Sequence, residues 1–385
     1  MDITLNADQL MIQQLAQKFA QAELVPVAEK LVGDAGRKTF LANIKKLAEL
    51  GFMGLNIESQ YGGTEVGTVG FSVAITEIAK ACASTAVTMS VTNMVAEVIQ
   101  VVASEEQKGK YLPKLCSGEY PAGCFCLTET TAGSDPSNMK TSAVLDGDEW
   151  VLNGSKQFIT SAEYAGIFIV WAVTDKSLSR GKGISCFLVE RDVPGLTISK
   201  AEEKMGQNAS ATNEVVFDRC RIPKGALMGE LNQGFKVAVS ELAGGRIGIG
   251  SLALGVGLAA MDFARNYITE RQQFGQPISN FQGVQWMMAD AYTELEAARL
   301  LLMNAASTKE KGLPFSKEAS MAKLFASEKA NNACYTALQL MGGYGYIKEY
   351  PLERYSRDVR ITSIYEGTSE IQRVIIAREL LKEIS

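Results

Sequence analysis

The chain has 385 residues, of which 46% are hydrophobic and 21% are charged. At roughly 150 residues per domain this length predicts two or three packed units, with a core that needs no disulfide or metal staple. The net charge of −5 argues against a strongly basic nucleic-acid-binding protein, and no unbroken apolar run approaches the ~20 residues that a membrane helix needs.

Histidine is absent from the sequence. This excludes a His-dependent catalytic triad, a His general base and a His metal ligand, so proton chemistry must use carboxylates, Lys, Tyr or Cys. The seven cysteines include no CxxC pair, which argues against a zinc cage or a thioredoxin-type site. Their odd number, without a secretory signal, indicates a reducing compartment.

The first part of the chain predicts helices. Ile12, Leu15 and Phe19 recur at helical spacing, and Pro26 is expected to end or kink that helix. A second helix around Phe40 is expected to stop near Gly51. The segment 71–103, rich in Ala, Val, Ser and Thr, predicts two packed helices.

The middle of the chain changes to short apolar runs such as 150–152, 167–173, 186–189 and 214–217. They are separated by turn sequences, which are Asp146-Gly147-Asp148, Asn153-Gly154, Gly181-Lys182-Gly183 and Val193-Pro194-Gly195. Runs of this length with this turn chemistry predict strands of a small antiparallel sheet or barrel.

From about residue 232 the pattern becomes helical again. Leu295, Arg299 and Leu302 belong to one long predicted helix, and 319–340 to another, with a break at Gly342-Gly343. The organisation is α, then β, then α, without a low-complexity linker or a short repeat.

Five segments combine glycine, hydroxyl or charged residues in ways that suit ligand contact: 126–135, 153–161, 271–275, 339–346 and 365–373. In the first, small residues let backbone amides approach a ligand, and a plain polar turn is the alternative. In the second, Asn153-Gly154 predicts a hairpin turn. There, an aromatic followed by a hydroxyl either flanks a planar cofactor or belongs to an ordinary hairpin.

The third and fourth segments follow predicted helices. Arg271 beside an aromatic residue can bind a phosphate and stack on a ring, or it is simply solvated. Gly342-Gly343 predicts a helix C-cap or backbone open to a cofactor phosphate. In the fifth segment, Thr368 or Ser369 can cap the last helix. The functional alternative there is Glu366, because an acid in apolar surroundings can act as a base near neutral pH.

Taken in this order across the α–β–α layout, the five segments resemble the acyl-CoA dehydrogenase family. The resemblance covers nearly the whole chain, from Tyr61-Gly62-Gly63 to the last helix. It implies an α+β protein with the acyl-CoA dehydrogenase fold. Its implied domains are an N-terminal α-helical domain at 1–120, a middle antiparallel β-barrel domain at 121–229, and a C-terminal four-helix bundle at 230–385.

The resemblance also implies FAD as cofactor and a set of site residues. Against the flavin it places Phe125, Leu127, Thr128, Phe158 and Thr160. At the pyrophosphate and adenine of a neighbouring subunit's FAD it places Arg271, Phe274, Gln339, Gly342 and Gly343. It also implies that Thr368 and Glu370 contact the same FAD. The substrate-binding residues are Ser134, Arg246, Tyr365 and Gly367, and no metal is implied.

Glu366 matches the catalytic base of the family. Some members carry the base immediately before the residue that matches Arg246, but Gly245 stands there in this sequence. Phe158 stands where many relatives have Trp. Ala243 stands where many relatives have an Asp that helps to hold CoA, and Glu241 lies nearby.

The implied reaction is α,β-dehydrogenation of an acyl-CoA to the 2-enoyl-CoA. Glu366 is expected to remove the α-proton while hydride passes from the β-carbon to flavin N5. The resemblance further implies electron-transferring flavoprotein as acceptor and a homotetramer, a dimer of dimers whose FAD sites span subunits. We expect no nucleic-acid or membrane partner and a prokaryotic cytoplasmic location, a processed mitochondrial form being the alternative.

The acyl group stays open at this point among butyryl, branched, cyclohexanecarboxyl, aryl-propionyl and dicarboxylic groups. The Arg-Ile-Gly-Ile run from Arg246 resembles short-chain members. Gly250 and the Gly244-Gly245 pair either widen the site for a branched or alicyclic group or serve helix packing. The alternatives to a dehydrogenase are an acyl-CoA oxidase, a nitroalkane-oxidising relative, which is expected to use Asp as base, and a non-catalytic nucleic-acid binder.

Overall fold

The computed structural model describes residues 4–384 and consists of helices, then a sheet, then helices. The N-terminal helices are α1 (Ala7–Phe19), α2 (Gly33–Glu49), α3 (Gly67–Ala81), α4 (Ala83–Val102) and α5 (Glu105–Cys116). The strands are β1 (Gly123–Cys126), β2 (Ser142–Asp146), β3 (Glu149–Thr160), β4 (Ile167–Val173), β5 (Ile184–Glu190), β6 (Leu196–Ile198), β7 (Thr212–Pro223) and β8 (Leu227–Met228).

The second helical region begins directly after the sheet. It contains α6 (Gly234–Glu270), a small hairpin of β9 (Gln272–Gln273) and β10 (Gln276–Pro277), α7 (Gln282–Glu310), α8 (Ser316–Met341), α9 (Gly343–Tyr346), α10 (Leu352–Arg360) and α11 (Ser369–Lys382). The predicted α–β–α order and the α+β class are therefore confirmed.

The two helices predicted at 71–103 are α3 and α4. Nearly every side chain of α4 is buried, including its threonines and serines. The Asn93 side chain accepts a hydrogen bond from Leu55 N–H at 2.8 Å and donates to the Phe52 carbonyl at 2.9 Å. It thereby satisfies backbone groups of the loop after α2 that burial would otherwise leave unpaired.

The sheet follows the order β6-β7-β3-β2-β4-β5-β8, and β1 pairs with β4. The predicted antiparallel pairing holds for β2 with β3, β3 with β7, and β4 with β5. It is wrong for β1 and β2, which run parallel to β4. Parallel neighbours need a long crossover rather than a tight turn, and here the chain between β1 and β4 provides it.

Asn153-Gly154 is not a hairpin turn, contrary to the prediction. The dipeptide lies inside β3, where the pairing with β7 shifts register between Leu152 and Gly154. Gly154 has a φ of +142°, and a Cβ there would lie 2.7 Å from Thr141 Cα. The dipeptide therefore marks a β-bulge, and the turn between β2 and β3 is at Asp146-Gly147-Asp148 instead.

Two helices of the described chain, α4 and α6, are long and apolar enough to cross a membrane by length and composition alone. In each of them 78% of the apolar window is buried inside the protein, and a buried core helix passes the same test. Neither helix is an unbroken apolar run, because Ser, Thr, Asn or Gly residues interrupt the Val, Ile, Leu, Met and Ala residues that raise its mean hydropathy.

Candidate active site

A cavity of about 750 Å³ lies where the sheet meets α4, α6 and the turn before α11. Residues at helical spacing present one face of each helix to it: Val87, Val91 and Met94 from α4, and Phe235, Val239, Leu242, Arg246 and Ile249 from α6. The sheet and its loops contribute Phe125, Leu127, Thr128, Ser134, Phe158 and Thr160, and the turn contributes Tyr365, Glu366 and Gly367. Ten of the predicted site residues therefore share one cavity.

Glu366 lies on a strained turn between α10 and α11. Both Glu366, at φ +55°, and Gly367, at φ +88°, adopt the left-handed conformation. The Gln372 amide donates to the Glu366 carbonyl at 3.0 Å and to the Gly367 carbonyl at 2.9 Å. A non-glycine residue in this conformation costs free energy, so these bonds are needed to hold the turn.

The carboxyl group of Glu366 is surrounded by protein on its inner side. Its Oε2 atom is buried and has no hydrogen-bond partner in residues 4–384. Burial raises the pKa of Glu366 from 4.5 to about 7, while the charges of Arg246 and Lys323 oppose that rise. A carboxyl group with such a pKa is poised to exchange a proton near neutral pH.

Gly245 is packed directly against this carboxyl group. A Cβ at this position would lie 2.7 Å from Met94 Sδ and 2.9 Å from Glu366 Oε2. The absence of a side chain at Gly245 therefore leaves the room that Glu366 occupies.

Arg246 is the buried cation of the cavity. Its side chain is 4% exposed, and Nη1 donates to Ser320 Oγ at 3.4 Å. Its Nε atom is buried and lacks a partner in the described chain. An unpaired buried donor of this kind is costly unless a ligand satisfies it, which fits the predicted substrate-binding role.

The opposite wall of the cavity is aromatic and hydroxylated. Phe125 packs on Trp171 with ring centroids 4.2 Å apart. Phe158 is 64% exposed, has a φ of +58°, and falls within a second register shift of β3 between Lys156 and Ile159. The irregular strand turns this large apolar ring toward the cavity instead of the core, which is the arrangement a planar ligand needs.

A buried ion pair braces the loop behind that wall. Lys156 Nζ donates to Glu129 Oε1 at 2.8 Å and to the Leu127 carbonyl at 3.2 Å, and its side chain is fully buried. Glu129 also accepts from the Lys140 and Thr141 N–H groups at 2.5 and 3.0 Å. Burial opposes the charge of Lys156 and lowers its pKa. Even so, Lys156 helps to hold the pKa of Glu129 below its ordinary value.

A second buried network ties the sheet loops to the Glu366 turn. Gln207, at φ +51°, donates from its N–H to Asp358 Oδ1 at 2.5 Å and from its side chain to Tyr365 OH at 3.1 Å. A Cβ at the preceding Gly206 would lie 2.4 Å from the Arg357 carbonyl oxygen. The loop before β7 therefore docks closely on α10 and fixes the residue that precedes Glu366.

Sequence reasoning missed these supporting residues. Lys156 and Glu129 fall inside segments singled out above, but Lys156 stands between Ser155 and Gln157, and these polar neighbours do not mark it as a buried charge. Gln207 and Lys323 carry no signal either, since nothing in the neighbouring sequence indicates that they meet the Glu366 turn.

A second cavity of about 420 Å³ lies at the end of α8, and it shares no lining residue with the first. Arg271, Gln339, Gly342 and Gly343 line it, and the Arg271 guanidinium lies over the Tyr344 ring at 5.7 Å. Gly342 has a φ of +57° and is the C-cap of α8, so the C-cap prediction is confirmed. Phe274 lies at the tip of the β9–β10 hairpin and is 93% exposed.

Three predicted residues, the exposed Phe274 together with Thr368 and Glu370, line neither cavity. Thr368 accepts a hydrogen bond from Ile371 N–H at 3.3 Å and caps α11, and Glu370 lies in the first turn of that helix. Within this chain Thr368 therefore has the helix-capping role that was its alternative interpretation.

The fold places a buried carboxyl group and a wall of aromatic and hydroxyl side chains around one largely apolar cavity, as in an enzyme that acts on an apolar substrate. The chain matches the acyl-CoA dehydrogenase N-terminal domain over residues 6–119, the middle domain over 124–220 and the C-terminal domain over 232–381. It belongs to the acyl-CoA dehydrogenase family and is an oxidoreductase.

Named relatives cover almost the whole chain. An acryloyl-CoA reductase (NADH) of Anaerotignum propionicum is 44% identical over 99% of this chain and 96% of its own length. The mitochondrial short-chain specific acyl-CoA dehydrogenase of Bos taurus is 46% identical over 97% of this chain and 90% of its own length.

Solved structures agree with this placement. Butyryl-CoA dehydrogenase of Megasphaera elsdenii superimposes with a TM-score of 0.95 at 39% identity, covering 99% of this chain and all of the other. A chain from a study of the electron transferring flavoprotein of Acidaminococcus fermentans also gives 0.95, at 42% identity and the same coverage. A glutaryl-CoA dehydrogenase of Mycobacterium smegmatis in complex with FADH2 gives 0.90 at 31% identity, covering 98% and 95%.

The cofactor is therefore FAD, and the residues present fit it. The exposed Phe158 ring and the Thr128 and Thr160 hydroxyls form a planar, hydrogen-bonding wall in the larger cavity. The smaller cavity offers a guanidinium, an amide and the Gly342-Gly343 backbone, which is the donor set that a pyrophosphate needs.

Proposed function

We propose that this acyl-CoA dehydrogenase converts a short-chain acyl-CoA to the 2-enoyl-CoA with Glu366 as the base. The observation that carries the proposal is the carboxyl group of Glu366, whose buried Oε2 has no partner and whose pKa is raised to about 7. When bound, FAD supplies the acceptor for the hydride that leaves the β-carbon.

Glu366 would take the α-proton, so that the electron pair of the α-carbon forms the new double bond as the β-hydride departs. The Glu366 N–H has no acceptor in residues 4–384 and is available to the thioester oxygen. Such a donor stabilises the negative charge that develops on that oxygen. The apolar side chains of α4 and α6 exclude water and thereby strengthen this interaction.

For the acyl group we propose a straight short chain such as butyryl. Gly250 does not widen the cavity, because a Cβ there would meet Leu302 Cδ2 at 2.7 Å, where α6 packs on α7. Gly245 leaves room for the carboxyl group of Glu366, and Gly244 lies against the end of the Lys309 side chain. Helix packing therefore accounts for Gly250, and the space at Gly244 and Gly245 is taken by side chains of the protein, which favours a straight acyl chain over a branched or alicyclic one.

The test is an anaerobic titration of the FAD-loaded protein with butyryl-, isobutyryl-, cyclohexanecarboxyl- and glutaryl-CoA, followed by loss of oxidised-flavin absorbance. We expect butyryl-CoA to bleach the wild type. The Glu366→Gln variant should keep FAD and lose bleaching by about 10²–10⁴-fold in rate, the range that a general base contributes. Near-normal bleaching by this variant contradicts the proposal, and the exposed Glu349→Gln is the matched control.

The relative named as a reductase motivates a second measurement. The same residues serve the reverse reaction, because a base that accepts the α-proton also returns it. Chemically reduced enzyme mixed with acryloyl-CoA or crotonyl-CoA should regain oxidised-flavin absorbance in the wild type and not in Glu366→Gln.

We further propose a homotetramer with electron-transferring flavoprotein as acceptor. The similarity to the chain from the Acidaminococcus fermentans study supports that acceptor. Large side chains exposed on the second helical region support self-association: Phe274, Trp286, Tyr335 and Tyr346. The relatives include bacterial and mitochondrial proteins, and the prokaryotic cytoplasm stays our prediction.

A further inference from the structure

A second buried cation lies beside the Glu366 turn and is not used in the reaction described above. Lys323, on α8, is fully buried. Its Nζ donates to the Gly367 carbonyl at 2.8 Å. No carboxylate oxygen of the described chain lies within 4 Å of this Nζ, whereas the other fully buried lysine, Lys156, has Glu129 at 2.8 Å.

A buried ammonium group without a close carboxylate is costly, so Lys323 needs a compensating interaction. The bond to Gly367 is one, and it acts on the second residue of the left-handed pair. Gln372 donates to the same carbonyl oxygen at 2.9 Å. Two side chains from two helices thus hold the carbonyl of Gly367, in the peptide group one residue beyond Glu366.

The charged groups that face Lys323 come from four elements. They are Glu366 on the turn, Arg246 on α6, Glu328 on α8 and Glu370 on α11. Burial lowers the pKa of Lys323 to about 8, the three acids oppose that change, and Arg246 adds to it. Glu366 in turn is faced by Arg246 and Lys323.

We propose that Lys323 is a positioning residue for the base: it holds the Glu366–Gly367 turn through the Gly367 carbonyl, and its charge favours the carboxylate form of Glu366. The inference rests on the proposed role of Glu366. Arg246 lines the cavity and faces the substrate, whereas Lys323 is not a lining residue and acts from behind the turn.

Removing the Lys323 charge leaves Arg246 as the single cation opposing the effect of burial, so the pKa of Glu366 rises further. Flavin bleaching by butyryl-CoA requires the carboxylate form of Glu366. The acid limb of the pH profile of the bleaching rate should therefore move to higher pH. We expect a shift of about one unit, which is the lower end of the effect of a nearby opposite charge on a pKa.

The experiment compares Lys323→Met, which removes charge and donor, with Lys323→Arg, which keeps both. Lys329→Met is the matched control, because Lys329 lies on the same helix and pairs with Glu294 instead. Each FAD-loaded protein is mixed anaerobically with butyryl-CoA across the pH range. Independently of turnover, infrared difference spectra against Glu366→Gln follow the protonated Glu366 carboxyl group.

We expect the acid limb and the infrared titration of Lys323→Met to move together to higher pH, with Lys323→Arg and Lys329→Met staying at the wild-type position. A folded, FAD-loaded Lys323→Met variant whose Glu366 titrates like that of the wild type overturns the inference. If Lys323 were merely structural, the variant would bleach more slowly but its titration would not shift. If Lys323→Met does not retain FAD, Lys323→Gln replaces it under the same criterion.

The Glu366→Gln control separates this inference from the proposed function. Full bleaching in Glu366→Gln overturns the proposed function and this inference with it. An inactive Glu366→Gln combined with an unshifted Lys323→Met or Lys323→Gln overturns the inference about Lys323 alone.

Discussion

Burial of the carboxyl group of Glu366, the proposed base, destabilises the folded state when that group is ionised. Glu366 has a pKa of about 7 in the folded protein and 4.5 ordinarily. The folded state therefore binds more protons than the unfolded state between these values, and stability falls as pH rises from about 4.5 to 7. Above pH 7 both states have released the proton and the loss is complete.

Replacing Glu366 by Gln should remove this pH dependence. The shift corresponds to about 3 kcal/mol, so Glu366→Gln should gain stability relative to wild type by up to that amount between pH 5 and pH 8. Thermal unfolding midpoints at the two pH values check this, with the exposed Glu349→Gln as control. A constant difference between wild type and Glu366→Gln at both pH values contradicts it.

Gly245 lies against the ends of two flexible side chains and not against backbone. A Cβ there meets the flexible ends of two side chains, Met94 Sδ and Glu366 Oε2, and both can move away. We therefore expect Gly245→Ala to fold and bind FAD but to lose at least about tenfold in the rate of flavin bleaching, since the base is displaced by a fraction of an ångström.

Gly109→Ala is the matched control for Gly245→Ala. Gly109 lies in the exposed middle of α5, where a Cβ meets nothing within 4 Å. This substitution should leave the bleaching rate unchanged and add about 0.5–1 kcal/mol of stability. Unaltered bleaching in Gly245→Ala would show that Glu366 tolerates a methyl group beside it.

At the scale of elements, local sequence predicted the strands but not their irregularities. Asn-Gly is a strong hairpin signal, yet Asn153-Gly154 forms a bulge inside β3, with Asn153 Oδ1 accepting from Arg219 N–H at 2.9 Å. The partner that decides between the two outcomes lies 66 residues away. Such long-range pairing is invisible to a reading of the neighbouring residues.

The ion pair between Lys156 and Glu129 is an element-scale support, because it joins β3 to the loop after β1. Lys156→Met should destabilise the protein by about 3–5 kcal/mol, since it leaves a buried carboxylate without its cation, and it should weaken FAD retention. Chemical unfolding and flavin release measure the two effects.

The double variant Glu129→Gln/Lys156→Met is the control for the ion pair. It removes both charges, so most of the lost stability should return. The exposed pair of Lys200 and Glu203 provides the reference, because Lys200→Met should change stability by less than about 1 kcal/mol. A Lys156→Met variant as stable as the wild type contradicts the bracing role.

The glycines of α6 set how closely that helix approaches its neighbours. A Cβ at Gly255 would lie 2.3 Å from the Thr76 carbonyl oxygen of α3, which is backbone and cannot swing aside. Gly255→Ala should therefore destabilise the protein by about 1–3 kcal/mol. Gly283→Ala, in open space on α7, is the control, and equal unfolding midpoints for the two variants would contradict the packing argument.

At the scale of the whole molecule, the family resemblance grouped residues that composition and periodicity could not connect. Ten predicted residues from three separate regions line one cavity, and no local pattern brings Ser134, Arg246 and Glu366 together. The domain bounds at 1–120, 121–229 and 230–385 stay predictions. The supports of the site, Lys323 and Gln207, depend on contacts made only in the folded chain.

The separation of the two cavities has a consequence for assembly. Phe274 is 93% exposed, so Phe274→Ala costs a single protomer almost no buried area and should leave its unfolding unchanged. If the hairpin tip contacts FAD of a neighbouring subunit, the Phe274→Ala variant should instead release FAD faster, and its oligomer should dissociate more readily.

Light scattering after gel filtration measures the oligomer, and flavin release on dilution measures FAD binding. The exposed Met11→Ala of α1 is the control. A Phe274→Ala protein that keeps the wild-type mass and flavin content would show that FAD is bound without this hairpin, and the proposed sharing of sites between subunits would then be wrong.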